Sequence, residues 1–182
     1  EAPVYNSSHL FGFFSVFNPD AVKNVKLVKG GIAPEYGGRL SSILDVRMKE
    51  GNSKKFTGTG GVGLIFSRLA IEGPINDKTS FIVAGRRSYA DVLAKPFLNN
   101  DLRDSRFYFY DLTAKVNHRI NENNRIFLSG YFGRDVFGSG FAFNWGNATA
   151  TFRWNHIFNE KLFMNLTTFY SDYDYSFGIE ED

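Results

Sequence analysis

The stretch that decides the reading is YFYDLTAKVNHRI, residues 108–120. Tyr108, Tyr110, Leu112, Ala114, Val116 and Ile120 share one parity, and Asp111, Thr113, Lys115, Asn117 and Arg119 share the other. A period of two belongs to an extended strand with one apolar and one polar face. The stretch GNATATFRWNHIF, residues 146–158, repeats the split, with Ala148, Ala150, Phe152, Trp154 and Phe158 opposite Asn147, Thr149, Thr151, Arg153 and Asn155. Both runs exceed the about nine to eleven residues with which a tilted strand crosses a bilayer, and the about five or six of an ordinary strand. Their length favours membrane-crossing strands over those of a soluble sandwich.

Outward from these runs the punctuation is regular. Polar clusters at Asn76-Asp77-Lys78, at residues 121–124 and at Asn159-Glu160-Lys161 interrupt segments rich in aromatic and β-branched residues, and predict tight hairpin turns. Longer links near residues 90–106 and 137–141 alternate with them, as long and short connections do in transmembrane barrels. Roughly seven strands are expected between residues 55 and 177. Segments 79–89 and 162–175 have strand propensity but mixed parity, with Arg86 beside Arg87 in one and Asp172 and Asp174 in the other.

Composition agrees with strands. Aromatic residues make up 17% of the chain, with Phe 20, Tyr 9 and Gly 18, and the mean hydropathy is −0.25. No apolar run approaches the about eighteen residues of a membrane helix, whereas strands that alternate lipid-facing and lumen-facing residues average to such a value. The net charge of +2 is spread over interleaved acids and bases, so no nucleic-acid partner is expected. With Cys 0, disulfides and thiolate metal sites are excluded.

Residues 1–52 read differently. Asn18-Pro19-Asp20 predicts a helix start of a single turn, ahead of a β-branched run at residues 25–28. Gly30-Gly31 and Gly37-Gly38 bracket a bend before a strand at residues 42–48, which gives a small mixed α+β unit ahead of the hairpins.

The stretch NPDAVKNVKLVKGGIAPEYGGRLSSILDVRMKEG, residues 18–51, resembles the plug end of TonB-dependent outer-membrane receptors. The following GGVGLIFSRLAIEGPI, residues 60–75, looks like that family's first two barrel strands. Gly31 stands where the family commonly has Pro, and Ser41-Ser42 where it has a Gly pair. The resemblance implies a mainly β chain: residues 1–52 as the C-terminal part of a small α+β plug domain, and residues 53–182 as the first strands of an antiparallel transmembrane β-barrel. It implies a bacterial outer-membrane location among lipid, and TonB-driven import of a scarce small-molecule, glycan or peptide ligand past the plug. TonB would engage a segment outside this chain, and a surface lipoprotein is a further candidate partner. Gly30, Gly31, Glu35, Tyr36, Gly37, Gly38 and Arg39 become candidates for the plug bend and its contact with the barrel, Glu35 and Arg39 as a charge pair. Asp111, Thr113, Lys115, Asn117, Arg119, Thr149, Thr151, Arg153 and Asn155 become candidates for the lumen. The alternative is a plugged barrel serving as scaffold or surface-assembly component without transport; a soluble β-sandwich binding module ranks third.

Other motifs carry less. Gly58-Thr59-Gly60-Gly61-Val62-Gly63 has the spacing of a dinucleotide loop, but a strand and not a helix is expected after it. His118 and His156 sit near strand ends, away from any cluster, and the acidic segment of Asp172, Asp174 and residues 180–182 lacks calcium-loop spacing. Without a nucleophile elbow, a paired-carboxylate motif or Cys, no enzymatic activity, cofactor or metal is expected.

Overall fold

The computed structural model describes residues 2–36, 41–97, 105–138 and 141–179, apart from the side chains of Glu35 and Ala94. The chain is mainly β. A 7-stranded antiparallel sheet contains β5 (Thr57–Val62), β6 (Phe66–Asn76), β7 (Thr79–Ser88), β8 (Arg106–Asn121), β9 (Asn124–Gly138), β10 (Phe141–Asn159) and β11 (Leu162–Ile179). Each strand pairs only with its sequence neighbours, so the sheet is a plain meander. The last four strands are the long ones, at 16, 15, 19 and 18 residues.

Three tight turns are built alike. Asn76, Asn121 and Asn159 each end a strand, and their Oδ1 atoms accept hydrogen bonds from the backbone N–H of Lys78 (2.9 Å), Asn123 (3.0 Å) and Lys161 (2.9 Å). An Asn side chain thus closes each turn on its own backbone. Next to each Asn the register shifts, between Pro74 and Asn76, Arg119 and Asn121, and Ile157 and Asn159. The extra residues are Ile75, Ile120 and Phe158, and the repeated bulge resets the pairing of these three hairpins.

The expected long link at residues 137–141 is absent as such: β9 continues to Gly138 and β10 resumes at Phe141, with Phe143 opposite Phe137. Phe137 and Phe141 lie in the ladder, where aromatic propensity for extended backbone outweighs the nearby glycines as turn signals. The other link does carry structure, the short helix α1 (Ala90–Ala94).

The N-terminal region lies on one face of the sheet. It holds two hairpins, β1 (Ser8–His9) with β2 (Phe14–Ser15) and β3 (Val22–Lys29) with β4 (Ser42–Met48). The single turn expected after Asn18 forms and is not continued: Asn18 Oδ1 accepts from Asp20 N (3.0 Å), its carbonyl accepts from Ala21 N (3.0 Å) and Val22 N (3.2 Å), and β3 begins at once because Val22, Val25 and Val28 favour extended backbone. The described residues of this region contain 3-10 turns but no α-helix, so "α+β" is corrected to β hairpins and turns.

Candidate functional site

Alternation along β7 to β10 gives the sheet a covered face, under the N-terminal region, and an open face, whereas β11 is exposed along nearly its whole length. The covered face is mixed: it buries the apolar Ala70, Ile82, Ala84, Phe109, Phe127 and Trp145, and with them an unusual number of polar residues. Buried there are Ser80, Arg86 and Ser88 of β7, Asp111, Thr113 and Lys115 of β8, Asp135 of β9, and Asn147 and Thr151 of β10. Charged residues are rarely buried unless paired. Here the N-terminal region supplies many of the partners. Lys115 Nζ reaches Met48 O (3.5 Å), Ser80 Oγ donates to Glu50 O (2.9 Å), Asn147 Nδ2 to Asn6 O (3.4 Å) and Ser171 Oγ to Pro3 O (2.7 Å). Arg68 Nη1 pairs with Asp20 Oδ1 at 2.8 Å.

The densest part of this seam surrounds His9, which is 1% exposed. Its ring stacks on the buried Phe109 ring, with centroids 4.3 Å apart and planes 10° from parallel. His9 Nδ1 lies 2.6 Å from Asp135 Oδ2, and Nε2 lies 3.4 Å from Asp111 Oδ2 and 3.3 Å from Tyr131 Oη. Asp135 Oδ1 accepts from Leu10 N at 2.8 Å. Arg86 donates to Asp111 Oδ2 from Nε (2.8 Å) and Nη2 (2.7 Å), and from Nη2 to Ser15 O (2.8 Å). Burial, the largest single influence on His9, disfavours the imidazolium. The hydrogen bonds to Asp111 and Asp135 and their negative charge together outweigh it, raising the pKa above the ordinary 6.5.

The turn that presents His9 is strained. Leu10 and Phe11 have φ of 49° and 59°, a left-handed backbone that L-residues rarely hold, and Gly12 follows at 105°. This places Phe11 among the rings of Phe137, Phe143 and Trp145, with centroids 5.6, 6.1 and 5.0 Å away.

Of the residues predicted to face a lumen, Asp111, Thr113, Lys115 and Thr151 are buried on the covered face, and Asn117, Thr149, Arg153 and Asn155 are half-buried. Asn117 donates to Ser80 Oγ at 3.4 Å, Asn155 to Asn165, and the Arg153 guanidinium lies 5.9 Å from the Phe127 ring centroid. Arg119 is exposed near the turn. Among the predicted bend residues, Gly30 and Gly31 have φ of 70° and 55°, with nothing within 4 Å of an added Cβ. They are needed for backbone conformation rather than for space. Tyr36 ends a 3-10 turn, Pro34–Tyr36, its N–H donating to Ala33 O at 3.0 Å. Gly37, Gly38, Arg39 and the side chain of Glu35 lie outside the described residues.

Of the glycine motif, residues 58–62 lie in strand β5 and Gly63 just follows it, and no helix opens there. His118 Nδ1 is held by Thr79 Oγ1 at 2.8 Å and His156 Nδ1 by Asn124 Oδ1 at 2.7 Å, which accounts for both as hairpin contacts. Asp174 pairs with Arg134 at 3.5 Å, and among the described residues no cluster of His, Cys, Asp and Glu could hold a metal.

Sequence reasoning missed His9, Arg86, Tyr131 and Asp135. Arg86 stands directly opposite Asp111 and Asp135 opposite Phe109 in the ladder, pairings set by strand register and by no local pattern in the sequence. No protein-family model, curated protein or solved structure matches this chain.

Proposed function

We propose that this chain belongs to a plugged outer-membrane β-barrel, residues 1–52 ending the plug and residues 53–182 forming the first barrel strands, and that the whole protein imports a scarce ligand with energy delivered by TonB. The observation that carries this reading is the burial of charged residues beneath the N-terminal region, beside a smaller apolar cluster, while the opposite face of the sheet is apolar and open. The face under the N-terminal region buries Arg86, Asp111, Lys115 and Asp135, while the open face exposes Leu69, Ile71, Val83, Leu112, Leu128, Phe132 and Phe152. A soluble sheet covers its apolar face and wets its polar one; a transmembrane barrel does the opposite. Strand lengths of 15 to 19 residues in β8 to β10 suit a span that extends past the bilayer. An N-terminal region hydrogen-bonded to polar residues of the sheet suits a plug that shuts a lumen and can be drawn away from it. That arrangement supports transport, the resemblance supplies TonB as its driver, and the apolar open face supports a place in lipid.

The membrane part is tested on the chain itself. β5 and β11 each present one unpaired edge, and the open face is apolar, so the chain should aggregate without detergent and disperse with it. A cooperative thermal melt of a detergent-free soluble monomer overturns the reading. Import is tested on the intact protein in cells: molecules that co-purify with it, identified by mass spectrometry, should accumulate only when the protein is present and the inner membrane is energised. Accumulation unaffected by collapse of that energy source rules out TonB-driven import.

A further inference from the structure

We propose that His9 is a proton-held latch: protonated, it fastens the N-terminal segment to the sheet between Asp111 and Asp135, and loss of the proton releases the strained turn that follows it. The inference rests only on the packing of residues 6–16 against the sheet, and stands whether or not the protein is a transporter.

Both ring nitrogens face carboxylate oxygens, Nδ1 that of Asp135 at 2.6 Å and Nε2 that of Asp111 at 3.4 Å. An imidazolium donates from both nitrogens, whereas either neutral tautomer turns one lone pair toward a carboxylate. Charge gives the same answer. The groups facing His9 are Asp111 from β8 and Asp135 and Tyr131 from β9; Arg86 of β7 reaches it through Asp111. Two carboxylates and one guanidinium balance only when His9 carries the second positive charge. Asp111 Oδ1 is buried without a hydrogen-bond partner, so that carboxylate depends on the two cations at its other oxygen. After deprotonation Tyr131 Oη can donate to Nε2, which satisfies the nitrogen but leaves a net negative charge buried in the seam.

The strain supplies the release. Leu10 and Phe11 hold left-handed backbone next to His9, and Leu10 N is tied to the same Asp135 carboxylate as His9 Nδ1. One carboxylate therefore holds both the imidazolium and the strained turn. The pKa of His9 is raised in the folded protein. Its contribution is accordingly complete below the unfolded value of about 6.5 and is lost as pH rises through the folded one.

The chain has Cys 0, so a label pair can be introduced cleanly. Phe13→Cys, at a site 79% exposed, and Glu122→Cys, exposed in the β8–β9 turn, carry spin labels on the protein in detergent. Pulsed dipolar distances are recorded from about pH 5.5 to 9.5, a range that brackets the ordinary imidazole value. The unaltered latch should give one narrow distance at low pH and a second, broad population that grows above the ordinary imidazole value. His9→Gln cannot take up the proton, and should show the broad population at every pH. Asp135→Asn keeps an acceptor for Leu10 N, offers an amide donor to neutral His9 and leaves Arg86 and Asp111 balanced; it should stay narrow at every pH. Circular dichroism confirms that each variant keeps its sheet. A distance that ignores pH in the unaltered protein overturns the latch, as does a docked His9→Gln or an Asp135→Asn that opens with the original midpoint.

Discussion

The two faces of the sheet share one backbone and differ in everything else. On β8, Asp111, Thr113 and Lys115 are buried at 4%, 6% and 8% exposure, while Leu112, between the first two, is 51% exposed. In water that arrangement would waste the apolar side chain and desolvate the charged ones. On the membrane reading proposed above, the open face meets an apolar medium and the covered face meets partners that replace water. The contrast teaches that the covered face holds its charged groups by pairing them around a small apolar cluster, while the open face is left apolar and unpaired with protein.

The sharpest way to break the covered face is to remove Asp111, whose side chain is fully buried against Arg86 and His9. Asp111→Ala leaves two cationic groups in the seam with Asp135 as the sole facing carboxylate. Orphaning a buried charge costs about 3–5 kcal/mol. Denaturant unfolding of the protein refolded into lipid vesicles measures it, and a loss within experimental error would mean that water reaches this seam freely.

The next largest effect belongs to the open face. Ala114 lies near the middle of β8, opposite Val83 and Gly130, on the parity of Leu112. If that face meets lipid, Ala114→Arg should cost roughly 2–4 kcal/mol in the same vesicle assay and Ala114→Leu should cost nothing. If the face meets water, Arg stays within about 0.5 kcal/mol of the parent. Equal outcomes for Arg and Leu would erase the difference between the two faces.

Much of this contrast was legible in the sequence. The period of two read from Tyr108 to Ile120 and from Gly146 to Phe158 predicts the strands, although Ile120 and Phe158 prove to be bulges that break the period at its end, and the Asn turns bound the strands. Asn-Pro-Asp gives the one capped turn expected of it and no α-helix, because the Val residues that follow decide for the strand. The His9 cluster was hidden for a different reason. Its members come from β1, β7, β8 and β9, and their meeting depends on cross-strand register. A turn of two residues after Asn121 would place Asp111 opposite Arg134; the bulge at Ile120 moves Gly133 there and sets Asp135 opposite Phe109. Register of that kind follows from one extra residue, which hydropathy does not reveal. The His9 contact itself is long-range and carries no local signal.

The smallest effect tests what keeps the two faces apart. A slip of one residue would exchange them, so something must hold the register, and the candidates are the Asn turns or the chemistry of the faces. Asn121 Oδ1 accepts from Asn123 N at 3.0 Å and from Asn124 Nδ2 at 2.9 Å, in an exposed turn where water can replace both bonds. Asn121→Ala should therefore cost only about 1 kcal/mol. The β8–β9 ladder from Arg106 with Gly138 to Arg119 with Arg125 would lose its polar seam and its apolar exterior together if it slipped, a far larger loss. The faces, on this argument, hold the register and the turn merely fits it. Single cysteines at Leu112 and Thr113, read with a lipid-soluble quencher on an attached fluorophore, should keep their contrast in the Asn121→Ala background, with position 112 quenched and position 113 shielded. If the contrast reverses, or the single substitution costs as much as orphaning a buried charge, the turn sets the register and the two faces are its consequence.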